Sequence, residues 1–166
     1  YRPLSLLSCL GKLLEYFISI HIKHHLQTHQ NLHPHQYKFR EGKSTEDTLH
    51  HLLQLVQTNQ QKNQYTLLIS LDIEAAFDSM TYQAILQGAL LLGLPMWICT
   101  LLRSYLTNRI VHFETASRIP EKGTPQGAIL EPLLWNLGYN HILHELNTLT
   151  PTLCFADDTL LIISAT

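Results

Sequence analysis

Three aspartates carry the chemistry that this sequence could perform. Asp157 and Asp158 are adjacent and lie between two short apolar runs, Leu153-Cys154-Phe155 and Leu160 to Ile163, while Asp72 follows the apolar run Leu67 to Leu71. Ionised carboxylates buried between strands lose their hydration, a cost that a bound divalent cation offsets. Hard carboxylate oxygens suit Mg²⁺, which accepts one or two carboxylates and fills its shell with water and substrate phosphates. Phosphoryl transfer with two metals needs carboxylates from separate strands to converge on one point. A strand end at Asp72 and a hairpin tip at Asp157-Asp158 can supply that convergence. Each feature taken singly has a plainer reading: a solvent-facing turn for the pair, a helix N-cap or strand-end residue for Asp72.

Two other groups of residues could do chemistry. Gly123-Thr-Pro-Gln-Gly127 is a glycine-flanked loop entering a helix; such a loop lets backbone approach a ligand, and helix N-termini favour phosphate. By itself it is a weak signal, and an ordinary turn is the plainer reading. His21, His25, His29 and His33 recur every four residues, the spacing of a helical zinc face, but no cysteine joins them and the segment is polar. They are read as a solvated face.

The elements that must position these groups follow from pattern. Leu10, Leu13, Leu14 and Phe17 recur at helical spacing and describe one amphipathic helix. A polar, His-rich connector is expected from about His24 to His35. Ser44-Thr-Glu-Asp47 has the spacing of an N-terminal cap, with Leu49, Leu52, Leu53 and Val56 continuing a helical stripe. Leu67 to Leu71 reads as a buried strand. Helices fill Tyr82 to Leu106, broken at Gly93-Leu-Pro95, so the stretch Ala84 to Leu102 is two buried helices and not a membrane span, which needs about 20 apolar residues. A β-hairpin is expected around Arg109 to Lys122. A helix from Ile129 towards Leu146 tolerates Pro132 only in its first turn. The runs flanking Ala156-Asp-Asp-Thr159 form a second hairpin.

Composition bounds the class. The 166 residues are 45% hydrophobic and 14% charged, enough for one ordinary core and unlike a disordered chain. Cys9, Cys99 and Cys154 are far apart and form no CxxC pair, which argues against a disulfide scaffold or zinc finger and fits an intracellular, unsecreted protein. No secretory signal is visible. The chain opens on Tyr1 and reads as an excerpt of something longer. A net charge of −2 lacks the basic footprint of a nucleic-acid binder, so any such grip is local or lies outside the excerpt.

In order, the motifs carry a resemblance. Tyr1-Arg-Pro-Leu-Ser-Leu-Leu-Ser8 with Gly11-Lys-Leu-Leu-Glu15, His33-Pro-His-Gln-Tyr-Lys-Phe-Arg40-Glu-Gly-Lys-Ser-Thr45, Leu71-Asp-Ile-Glu-Ala-Ala-Phe-Asp78, Gly123-Thr-Pro-Gln-Gly-Ala128 and Phe155-Ala-Asp-Asp158 are similar, block by block, to the reverse transcriptase domain of non-LTR (LINE-type, jockey-like) retrotransposons. The last three match that family's motifs A, B and C. Tyr105-Leu-Thr-Asn-Arg109 also resembles a stretch that the family carries between A and B.

The resemblance implies an α+β fold: the fingers (about residues 1–64) and palm (about 65–166) of a right-hand polymerase, with an antiparallel palm sheet and packed helices, truncated before the thumb. It implies an RNA-directed DNA polymerase that adds dNTPs to a primer 3′-hydroxyl on an RNA template with a DNA primer. Asp72 and Asp157 would hold two Mg²⁺ ions (Mn²⁺ a possible substitute), and Asp158 would complete the carboxylate set. One metal would activate the primer hydroxyl and the other stabilise the pyrophosphate leaving group. Phe77 matches the steric gate against a ribose 2′-hydroxyl, although a core phenylalanine is the plainer reading. Gln126 matches the motif B residue near the incoming nucleotide, and Gly127 would keep that surface clear of side chain. Arg40 matches a basic fingers residue contacting the triphosphate, with Lys43 a weaker candidate for the same role.

Glu131 stands where the family usually has a small serine, and Lys38 where glycine is common. No membrane association and no specific protein partner is implied. The parent element would act in the nucleus and cytoplasm. With the thumb absent, the chain is expected to keep the metal site yet bind nucleic acid poorly. Two alternatives stay open: a decayed, non-catalytic remnant, and a viral RNA-dependent RNA polymerase palm, which Phe77 opposes.

Overall fold

The Ser8 hydroxyl accepts the Gly11 amide at 3.1 Å and so starts the first helix, α1 (Cys9–His29). The computed structural model describes residues 7–107, 109–112 and 117–165; the expected opening block before residue 7 and the centre of the expected hairpin at 113–116 lie outside the described residues. α1 continues well past the point where a polar connector was expected. Side chains support its last turns from within: Thr28 Oγ1 donates to the His24 carbonyl at 2.8 Å, and His29 Nδ1 lies 2.9 Å from the His25 carbonyl. The helix stops at Gln30, whose left-handed backbone (φ 49°) breaks the pattern. Its buried face is also not the expected one. Glu15, Ile18, Ser19, Ile22 and Leu26 turn inward, whereas Leu10, Leu13, Leu14 and Phe17 are exposed.

The next helix, α2 (Thr45–Gln61), begins with the expected reciprocal cap: Ser44 Oγ accepts the Asp47 amide at 3.1 Å and Asp47 Oδ2 accepts the Ser44 amide at 2.7 Å. After β1 (Tyr65–Leu71) come the short α3 (Ala76–Ser79), then α4 (Tyr82–Leu91) and α5 (Met96–Leu106). The Gly93-Leu-Pro95 break separates the last two, with Gly93 at φ +69°. Among the described residues no helix is long and apolar enough to cross a membrane. Two-residue strands β2 (Val111–His112) and β3 (Ser117–Arg118) pair antiparallel, the remnant of the expected hairpin. α6 (Glu131–Leu149) carries Pro132 in its first turn, where the missing N–H costs nothing. β4 (Thr152–Phe155) and β5 (Asp158–Ala165) close the chain as a hairpin.

Two compact units result, each built from two stretches of sequence. The first takes Tyr1–Leu32 and Ala75–Tyr139; its core holds Ile22, Ile85, Ile98, Leu102, Leu134, Trp135 and Leu137, all nearly inaccessible. There α4 approaches α6 so closely that a methyl group on Gly88 would stand 1.9 Å from the Leu137 carbonyl oxygen. Only glycine allows that approach.

The second unit takes His33–Glu74 and Asn140–Thr166. Its three-stranded antiparallel sheet has the order β1-β5-β4, and Tyr37, Leu153 and Ile162 form a core with Leu52, Leu55, Phe155 and Leu160 against it. The sheet's edge strand β1 differs from expectation: it is half-buried or exposed throughout, with Leu67 57% exposed. An apolar run bounded by polar residues reads as buried in sequence, but hydropathy does not fix how far other elements cover a strand's two faces. At the level of fold class the chain is mixed α and β with a small antiparallel sheet, as expected.

Candidate functional site

The register of the sheet brings the three aspartates to one end of it. Leu71, the last residue of β1, pairs with Thr159 of β5; Asp72 follows the one and Asp158 precedes the other. Asp158 in turn pairs with Phe155, so Ala156 and Asp157 form a two-residue turn, with Ala156 left-handed at φ 63°. Asp72 and Asp158 are exposed and Asp157 is half-buried. None of the three is sealed from water, so burial does not strip them of hydration as their place between apolar runs suggested. Among the described residues none of them has an ion-pair partner, and no group of three or more His, Cys, Asp or Glu side chains is drawn together closely enough to hold a metal by itself. Open, hard carboxylates at one sheet end still suit Mg²⁺, which keeps several waters and takes one or two carboxylates instead of a closed protein cage.

The turn is held from beneath. Cys154 is fully buried, its Sγ donates to the Ala156 carbonyl at 3.1 Å, and burial together with the charges of Asp157 and Asp158 pushes its pKa up to about 12, so it stays a neutral thiol. Its backbone is clamped by the segment before α2: the Cys154 amide donates to the His35 carbonyl at 2.9 Å and its carbonyl accepts the Tyr37 amide at 3.0 Å. Lys38, which departs from the usual glycine, sets its Nζ 4.9 Å from the centre of the Phe155 ring, putting a cation at the base of the aspartate turn. Arg40 belongs to this second unit too; it is half-buried, its Nη1 donates to the His33 carbonyl at 2.8 Å, and burial lowers its pKa from the ordinary value.

Phe77, Gln126 and Gly127 belong to the first unit, where the 123–129 loop lies along α3. The Gly123 amide donates to the Met80 carbonyl at 2.8 Å and the Thr124 amide to the Phe77 carbonyl at 3.0 Å. Gly123 has φ +86°, and a methyl group there would meet the Asp78 carbonyl oxygen at 2.9 Å, so the close approach needs glycine. Gln126 Nε2 donates to both carboxylate oxygens of Asp78, at 3.1 and 3.0 Å. The Phe77 ring is half-buried and 5.3 Å from the Trp135 ring. Of the spaced histidines, His21 and His29 lie on an exposed face, but His33 is 4% exposed, a correction to the reading of all four as solvated.

A family profile described as "Reverse transcriptase (RNA-dependent DNA polymerase)" matches residues 1–166. The chain belongs to the reverse transcriptase family. Its relatives are polymerases of non-LTR retrotransposons. It is 34% identical to a probable RNA-directed DNA polymerase from transposon X-element of Drosophila melanogaster, over 85% of this chain and 16% of that one. It is 32% identical to the corresponding protein of transposon BS from the same organism, over 82% and 16%, and 28% identical to the RNA-directed DNA polymerase from mobile element jockey of Drosophila melanogaster, over 82% and 15%. The chain thus spans about one sixth of the length of these relatives. In three dimensions it resembles a telomerase from Candida albicans solved with a fragment of telomeric RNA, at a TM-score of 0.65 and 10% identity, covering 91% of this chain and 30% of that one; this likeness concerns the fold alone.

Several residues that shape this reverse transcriptase chain were given no role by sequence reasoning. Asp78 holds Gln126, Glu131 Oε2 accepts the Gly127 amide at 2.8 Å, and Glu15 Oε2 accepts the Ile129 amide at 2.8 Å. Glu15 and Asp78 lie inside blocks that carry the family resemblance, which was the one available signal.

Proposed function

We propose that this chain carries the catalytic centre of an RNA-directed DNA polymerase, with its fingers in about residues 1–64 and its palm in about 65–166. In this reading Asp72, Asp157 and Asp158 hold two Mg²⁺ ions, with Mn²⁺ able to replace them. When bound, such ions lower the pKa of an attacking hydroxyl and stabilise charge on a leaving pyrophosphate. The protein's part is positioning. The β1–β5 register supports it, because pairing of Leu71 with Thr159 brings Asp72 and Asp158 to one sheet end with Asp157 in the adjoining turn.

The remaining roles follow the family pattern. Phe77 acts as the gate against a 2′-hydroxyl, and Gln126 and Gly127 line the nucleotide surface. Arg40 binds triphosphate oxygens. RNA template, DNA primer and dNTPs are the substrates.

Mn²⁺ binding, followed by its electron paramagnetic resonance signal, tests the metal assignment without requiring turnover. The chain should take up the ion, Asp72→Asn and Asp157→Asn should each weaken uptake at least about tenfold, and Asp78→Asn should leave it unchanged. Equal uptake by parent and Asp157→Asn contradicts the assignment.

A further inference from the structure

Glu15, Tyr105 and Arg109 are far apart in sequence, lie in family-like blocks, and have no part in the function proposed above. In the first unit they meet. Glu15, on α1, is 1% exposed, so its carboxylate is among the most deeply buried charges of the molecule. Both of its oxygens are used: Oε1 accepts the Tyr105 hydroxyl, and Oε2 accepts the Ile129 amide at 2.8 Å. Tyr105, at the end of α5, also faces the Arg109 guanidinium, while burial and the Glu15 carboxylate hold its hydroxyl well above the usual tyrosine range. Arg109 lies over the Tyr82 ring, 5.9 Å from its centre, and its Nη2 is 3.4 Å from both the Tyr82 hydroxyl and the Gly123 carbonyl. Tyr82 itself donates to the Pro120 carbonyl at 3.0 Å.

The two ends of the 123–129 loop are therefore tied into one network. Glu15 holds the C-terminal end at Ile129, Arg109 and Tyr82 hold the N-terminal end at Pro120 and Gly123, and Tyr105 joins them. A buried carboxylate is costly unless its oxygens are hydrogen-bonded and a cation is near. Arg109 is held through Nη2 and the Tyr82 ring, while its Nε and Nη1 are buried without a hydrogen-bond partner. Its guanidinium faces the Tyr105 hydroxyl that donates to Glu15, and Glu15 and Asp78 in turn act on the charge of Glu131 beside the loop. We infer that Glu15, Tyr105 and Arg109 are positioning residues that fix the loop bearing Gln126 and Gly127 and so set how firmly the incoming nucleotide is bound. The nucleotide part of this inference rests on the polymerase reading; the fixing of the loop does not.

Amide hydrogen exchange on the whole chain, combined with nucleotide kinetics, tests both parts. Glu15→Gln leaves one acceptor where there were two, and Tyr105→Phe removes a single hydroxyl while keeping the ring. Each should raise exchange at residues 123–129 about tenfold, the effect of losing one charge-assisted hydrogen bond, and leave α4 in the same unit unchanged. Primer extension by the same variants should show the dNTP KM raised about tenfold, with Mn²⁺ uptake unaltered. Arg109→Lys, which keeps the charge but loses the planar fork, should fall between parent and Tyr105→Phe. Unchanged exchange at 123–129, or an equal rise in α4, overturns the inference. Raised exchange with an unchanged KM overturns its nucleotide part, and a parent that adds no dNTP at all defeats the polymerase reading while the exchange result still decides the role in the loop.

Discussion

The Gly127 amide donates to Glu131 Oε2 at 2.8 Å. The residue that departs from the family's usual serine is thus not an idle charge beside the 123–129 loop; it caps that loop from the first turn of α6. The bond has a cost. Burial, together with the charges of Asp78 and Glu15, raises the Glu131 pKa, and the Gly127 amide offsets only part of that rise. A carboxylate whose folded pKa lies above its unfolded value favours the folded state at low pH and loses that contribution as pH rises through the raised pKa.

Glu131→Gln should accordingly stabilise the chain at pH 7.5, since the amide oxygen still accepts from Gly127 and the repulsion is gone. A rise in Tm of roughly 2 °C is expected, equivalent to somewhat under 1 kcal/mol for a chain of this size. Glu131→Ala, which loses the cap, should melt lower than the parent. A thermal melt with Glu131→Gln below the parent contradicts this account.

Gly88→Ala should be among the most damaging single substitutions. A methyl group there would stand 1.9 Å from the Leu137 carbonyl oxygen and 2.7 Å from its carbon, and backbone cannot move aside as a flexible side chain can. Denaturant unfolding should show a loss of roughly 3 kcal/mol or more, beyond the usual range for overpacking. Alanine is a better helix former than glycine by about 1 kcal/mol, so a neutral or stabilising result rules out the close helix approach.

Phe77→Ala separates a core role from a gating one. The ring is half-buried against Trp135, so truncation should cost roughly 1 to 3 kcal/mol, less than for a fully buried phenylalanine. In primer extension the same variant should accept NTPs that the parent refuses. Stability lost with sugar discrimination intact would leave Phe77 a core residue only.

The second unit should be acid-sensitive. His33 is deeply buried, its Nδ1 accepts the His35 amide at 3.2 Å, and its ring meets those of His144 and His35 at 4.5 and 5.1 Å. Burial, then the neighbouring His144, His35 and Arg40, lowers its pKa to about 4. A histidine with a depressed folded pKa contributes stability that is present above its unfolded value near 6.5 and is lost as pH falls towards the folded value. Burial lowers the His51 pKa as well, beside His35 and Lys43. Denaturant midpoints should fall between pH 6.5 and 4, by an amount worth roughly 2 kcal/mol, and His33→Gln should flatten that slope. An unchanged slope in the variant shows that other groups are responsible.

Local signals were legible in the sequence, and tertiary ones were not. Ser44 and Asp47 announced the α2 cap, Gly93 and Pro95 the break between α4 and α5, and Pro132 the first turn of α6. The order and spacing of the blocks around Asp72, Gln126 and Asp158 announced the family. What failed was the choice of face. Leu10, Leu13, Leu14 and Phe17 satisfy helical periodicity yet lie exposed, because the inward face of α1 carries Glu15. Its partners are supplied about 90 residues or more further along, by Tyr105 and the Ile129 amide. No local pattern predicts that a carboxylate will be buried. The apolar run of β1 misled for the complementary reason: hydropathy does not reveal how far other elements cover a strand's faces. The residues that hold the 123–129 loop were given no such role because each is an ordinary polar residue until the fold assembles them.

The central claim, that the aspartates gathered at one end of the sheet drive nucleotide addition, is tested most directly by Mg²⁺-dependent incorporation of a dNTP on an RNA template with a DNA primer. Asp157→Asn preserves the size of the turn residue and removes the charge. The account predicts extension by the parent that stops when Mg²⁺ is chelated, and at least a roughly 10³-fold lower rate in Asp157→Asn, a loss of about 4 kcal/mol of transition-state stabilisation. Equal rates in parent and variant would contradict it.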